Sequence, residues 1–85
     1  MELRVIDRLR DVYPNQKFVT VEGLDDAVMG LDLETMRLVY SVSSVVNIFV
    51  QRGMTVDEAE EFFAKSVLPL DFGYRGPIWC DNLLC

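Results

Sequence analysis

Two carboxylate clusters are the residues of this chain best placed to do chemistry. Asp25 and Asp26 are neighbours in the run Gly23-Leu-Asp-Asp26. Paired carboxylates can hydrolyse glycosides, but only when held a defined distance apart across a cleft. With magnesium or manganese the same pair would define a metal-dependent enzyme. Sequence neighbours in a turn more often accept hydrogen bonds from their own backbone, which is the plainer reading. Either Asp could also accept from a partner's arginine. The second cluster is Asp57, Glu58, Glu60 and Glu61. Such a run is either a solvated helix face or a negative surface offered to a basic partner, with carboxylates standing where phosphates would.

Most other chemistry is excluded by what the chain lacks. It has no histidine. That removes Ser-His and Cys-His nucleophilic pairs and the commonest metal ligand. Gly73-Tyr-Arg-Gly76 lacks the Lys-Ser/Thr of a phosphate loop and does not open a helix. Cys80 and Cys85 are the two thiols of the chain, half of a tetrahedral zinc site. They read as free thiols in a reducing cytoplasm, so no metal and no cofactor are expected.

Charge points the same way. Acidic residues outnumber basic ones 14 to 8, for a net charge of −6. The first eighteen residues hold Arg4, Arg8, Arg10 and Lys17 against Glu2, Asp7 and Asp11, so the deficit lies in the rest of the chain. This balance opposes direct nucleic-acid binding and anionic membranes, which are held through Lys and Arg. It favours a basic partner. No apolar signal region opens the chain and no apolar run approaches the ~18 residues of a membrane span. A single globular domain, residues 1–85, is expected, with 51% hydrophobic residues to build its core. Dimerisation would hide surplus apolar surface.

The elements that must position these groups follow from periodicity. Leu3, Ile6, Leu9 and Tyr13 predict an amphipathic helix over 2–13, stopped by Pro14. Residues 17–22 are rich in strand formers. After a turn at 23–26, Ala27, Met29 and Leu31 alternate with other residues as a second strand, with Gly30 marking a bulge. A turn at 32–35 leads to a third strand over 36–40. Ser41 can cap a helix over 42–52 whose apolar arc holds Val42, Val45, Val46, Ile48, Phe49 and Val50. Those residue types prefer strands, but the periodicity and the cap-like Gly53 favour helix. Thr55-Val-Asp-Glu58 is a capping box opening a helix over 55–66. Ile78-Trp-Cys80 reads as a last strand. The expected fold is α+β in the order α-β-β-β-α-α-β: a small antiparallel sheet, a three-strand meander plus a C-terminal strand, with helices packed on one face.

Aromatics and arginine near the C-terminus, Phe72, Tyr74, Arg75 and Trp79, close the core or form a contact surface. An apolar interface built from Val45, Phe49, Val50, Tyr74 and Trp79 would make the chain a homodimer or a larger homo-oligomer.

Gly23-Leu-Asp-Asp-Ala-Val-Met-Gly30, Arg37-Leu-Val-Tyr-Ser41, Gly53-Met-Thr-Val-Asp-Glu-Ala-Glu-Glu-Phe-Phe63 and Pro77-Ile-Trp79 together resemble small phage- and prophage-encoded proteins. The resemblance spans about residues 20–80 and departs at Ser66-Val-Leu-Pro-Leu70. It implies a phage setting, hence a host cytoplasm, and carries over no established activity. Small acidic phage proteins often inhibit host machinery. The expected function is therefore a non-catalytic module that binds a basic surface of a host protein or complex, an anti-CRISPR protein being one version. The residues expected to do this are Asp57, Glu58, Glu60 and Glu61, with Asp25 and Asp26 second. A homo-oligomeric accessory role is the alternative.

Overall fold

Among the described residues, local signals in the sequence resolve into three α-helices and a three-stranded sheet, an α+β fold. The computed structural model describes residues 4–73 and 75–81. Helix α1 runs Val5–Val12 and turns Ile6 fully inward. Strands β1 (Val28–Asp32) and β2 (Arg37–Ser41) form an antiparallel hairpin. Helices α2 (Val42–Gln51) and α3 (Val56–Phe62) follow, and β3 (Ile78–Cys80) returns beside β2.

The hairpin bulge falls between Val28 and Gly30, where the register shifts. Its turn is tied by Asp32, whose carboxylate accepts from the Glu34 N–H at 3.1 Å and the Thr35 hydroxyl at 2.8 Å. Met36 then takes a positive φ of 56° and donates its N–H to the Asp32 carbonyl. Ser41 ends β2 and caps α2 by accepting from the Ser44 N–H. The periodicity of 42–52 thus outweighs its strand propensity.

Two expectations are corrected. The sheet is mixed rather than antiparallel, because β3 pairs parallel to β2. A parallel pair needs a long crossover, and α2 and α3 supply it. Residues 17–22 form no strand. The Val21 N–H is donated to the Tyr40 hydroxyl at 2.9 Å, so a side chain holds this segment where a ladder was expected. The observed order is α-β-β-α-α-β, with a short 3-10 turn, Asp25–Ala27, before β1.

The core lies on the sheet face carrying Leu38 and Tyr40, both fully buried. Ile6, Val45, Phe49, Ala59, Phe63 and Val67 bring the helices onto it. Trp79 lies half-buried between Tyr40 and Phe63, with ring centroids 5.3 and 5.0 Å away. The helix expected over 55–66 changes character at Phe63: Phe63–Val67 is a π turn, closed by the Leu68 N–H on the Phe63 carbonyl.

The approach to β3 depends on Gly76. Its carbonyl accepts from the Arg37 Nε at 2.8 Å, which pins the loop to β2. A Cβ there would lie 2.7 Å from the Phe72 Cβ and 3.1 Å from the Gly73 carbonyl oxygen. Both obstacles sit on backbone that cannot swing away. Gly76→Ala is therefore expected to lower stability by about 1–3 kcal/mol, the usual range for overpacking. Urea denaturation followed by the fluorescence of the single tryptophan measures it.

Cys80 is disulfide-bonded, which corrects the free-thiol expectation for that residue. Cys85 lies outside the described residues. A bridged Cys80 also removes the thiol argument for a reducing compartment. No described helix is long and apolar enough to cross a membrane.

Candidate functional site

Helix α3 sets the geometry of the acidic face. Ala59 is fully buried and Phe63 nearly so, which fixes the inward side of the helix. Asp57, Glu60 and Glu61, three and four residues apart, then share an exposed arc. The four carboxylates are not equivalent. Glu58 is committed to the helix start, accepting from the Thr55 N–H at 2.9 Å while the Thr55 hydroxyl accepts from the Glu58 N–H at 3.1 Å. The bond from the Thr55 backbone holds the Glu58 carboxyl below its usual range. Glu61 is paired with Lys65 one turn on. Asp57 and Glu60 form no ion pair among the described residues. They are the carboxylates of this face whose charge is unanswered.

Asp25 and Asp26 belong to a different neighbourhood. They sit in the 3-10 turn and share the Arg4 guanidinium, at 4.0 and 3.5 Å. Arg4 also binds Asp7 at 3.1 Å, and that hydrogen bond raises the guanidinium pKa and lowers that of Asp7. A cation already placed beside Asp25 and Asp26 disfavours a divalent metal there. No cluster of three or more metal-ligating side chains exists among the described residues. The structure thus ties the second pair of candidates to the N-terminal helix, through charge, and leaves α3 as the open acidic surface.

The apolar interface candidates are redistributed. Val45 is fully buried and Phe49 is 5% exposed, so neither is available to a second copy. The reason is that α2 packs at once on α3, β2 and the 3-10 turn, which buries the centre of its apolar arc. Val50 and Trp79 are half-buried against the core, and Tyr74 lies outside the described residues.

Two concavities border α3. One, about 340 Å³, lies beside Phe62 and Met54 and includes Glu61 and Lys65 on its rim. The other, about 560 Å³, opens between α2 and α3 with Glu60 on its wall. Its α2 side carries Ser43 and Asn47, four residues apart on the polar arc of that helix. No local pattern singles these two out, because the cleft exists only once α2 and α3 pack.

Hydrogen bonds to Asp7, Asp32 and Glu58 lower all three pKa values: from Arg4 in the first case, from Thr35 and then Glu34 in the second, from Thr55 in the third. A carboxyl that binds its proton more weakly when folded adds stability above its unfolded pKa, about 4, and loses it as pH falls through the lower folded value. The thermal midpoint is expected to hold steady from pH 7 to about 5 and to fall below about 4. Asp32→Asn should flatten that fall. A midpoint that rises on acidification would contradict the assignment.

No protein-family model, curated protein or solved structure matches the chain.

Proposed function

We propose that this chain is a non-catalytic protein-binding module of phage type that modulates a host protein complex by occupying one of its basic surfaces. The observation that carries the reading is the exposed arc of Asp57, Glu60 and Glu61 on α3, where Lys65 is the neutralising partner of one carboxylate only. The net charge of −6 supports it, as does the resemblance of residues 20–80 to small phage proteins. Long-range attraction steers such a surface to an Arg- or Lys-rich patch, and the contact weakens as salt rises. A patch of that kind is what nucleic acid occupies, so the module would compete with it, as an anti-CRISPR protein or other nucleic-acid mimic does. The host cytoplasm is the corresponding location.

The test is capture from a bacterial host lysate with tagged protein at low and high salt, read by mass spectrometry. One host complex retained at low salt and released at high salt is the expected result. A complex retained equally at both would remove the electrostatic basis of the reading.

The homo-oligomeric alternative draws on other residues than those first assigned to it. Phe62, Leu68 and Leu70 are 41%, 49% and 55% exposed. It requires an oligomer at micromolar concentration in light scattering, dispersed by Leu70→Glu.

A further inference from the structure

We infer that the cleft between α2 and α3 is a socket for one arginine side chain of the basic partner. This rests on the acidic-module reading and goes beyond it, because it names a residue type and a seat. The cleft, about 560 Å³, falls within the usual range of ligand clefts, about 300–1,000 Å³. Its apolar lining residues are Val42, Val46 and Phe63. Its polar lining residues are Glu60, Asp81, Asn47 and Ser43. No lysine or arginine lines it among the described residues.

That combination fits arginine on both counts. The aliphatic stem of arginine lies along apolar surface while its head seeks charge. The head is a planar cation with five N–H donors and no acceptor. Glu60 and Asn47 each offer a side-chain oxygen that can accept, while the Ser43 hydroxyl lies 3.2 Å from that of Ser41. Carboxylates take guanidinium through paired, charge-assisted bonds, which lysine, a compact and strongly hydrated point charge, cannot reproduce. Glu60 forms no ion pair among the described residues, so a partner meets an uncommitted charge.

One effect opposes a cation here. The N-terminus of α2, at Val42 and Ser43, opens onto the cleft. A helix N-terminus carries the equivalent of about half a positive charge. The Ser44 N–H is already answered by the Ser41 hydroxyl, and the full carboxylate charge of Glu60 outweighs the half charge of the helix end. The balance at the cleft stays negative.

The test is a titration of isotope-labelled protein with capped hexa-arginine, followed by amide chemical shifts at low salt. Shifts are expected to concentrate at residues 42–47, 60 and 63. Capped hexalysine is expected to bind at least about tenfold more weakly. Ser43→Trp fills the cleft without changing any charge, keeping the Ser44 N–H on the Ser41 hydroxyl and giving up the 3.2 Å contact between the Ser41 and Ser43 hydroxyls; Glu60→Gln removes the charge without changing shape. Each should erase the shifts at 42–47. Shifts confined to residues 57 and 61 that survive Ser43→Trp would overturn the socket and leave the broader acidic-surface reading standing. Equal binding of the two peptides would overturn the choice of arginine. No shift with either peptide would overturn both readings.

Discussion

Replacing Tyr40 with alanine is expected to remove about 3–5 kcal/mol of stability, the range for losing a large buried aromatic. Single domains are stable by about 0.05–0.15 kcal/mol per residue, so a chain of 85 residues has roughly 4–13 kcal/mol to lose. The variant should therefore be marginally folded or unfolded at 37 °C. Tyr40 merits this expectation because three parts of the fold converge on it. It is fully buried, its ring packs on Trp79 of the parallel strand, and its hydroxyl accepts the Val21 N–H. Burial pushes its phenol pKa up, so it stays neutral across the working pH range. Tyr40→Phe separates the two contributions. It keeps the ring and leaves the buried Val21 N–H without an acceptor, which should cost about 1–3 kcal/mol. Urea unfolding of both variants, followed at Trp79, measures the difference. A Tyr40→Ala protein within about 1 kcal/mol of the parent would contradict the convergence described.

Reversing two charges on α3, Glu60→Lys with Glu61→Lys, is expected to lower affinity for the basic partner by roughly a hundredfold, since like charges brought together across an interface are strongly unfavourable. The fold should be preserved. Both positions are exposed and neither caps a helix. The change at position 61 loses the pair with Lys65 but replaces a like-charge neighbour of Asp57 with an opposite one. Glu61, an outer charge, should act mainly on the association rate through steering, and Glu60, which lines the cleft, on the dissociation rate as well. Glu58→Lys makes a poor substitute, because it would damage the capping box and confuse binding with folding.

How much of this was legible in the sequence depends on the range of the interactions involved. The capping box at Thr55 and Glu58, the Ser41 cap, the bulge at Gly30 and the helix over 42–52 are all set by residues within a turn or two of each other, and each appears where the spacing places it. The segment 17–22 has the composition of a strand, yet its fate is decided by the hydroxyl of Tyr40, nineteen residues beyond Val21. The parallel pairing of β3 likewise depends on how α2 and α3 route the chain, which no local pattern encodes. The breadth of the apolar arc on α2 looked like surplus surface. Its centre is covered by three neighbours, so Val45 and Phe49 are core, while Val42 and Val46 stay partly open at the cleft. On the acidic face the sequence supplied the residues and the exposed arc. It did not distinguish Glu58, tied to Thr55, and Glu61, tied to Lys65, from Asp57 and Glu60, which are not.

The most direct test of the acidic-surface account is a paired capture from one host lysate, wild-type protein beside the Glu60→Lys, Glu61→Lys variant, at low salt, with circular dichroism confirming that both are folded. The account predicts that a host complex recovered by the wild type is missing from the variant. Recovery of the same complex in equal amount by both proteins would contradict it.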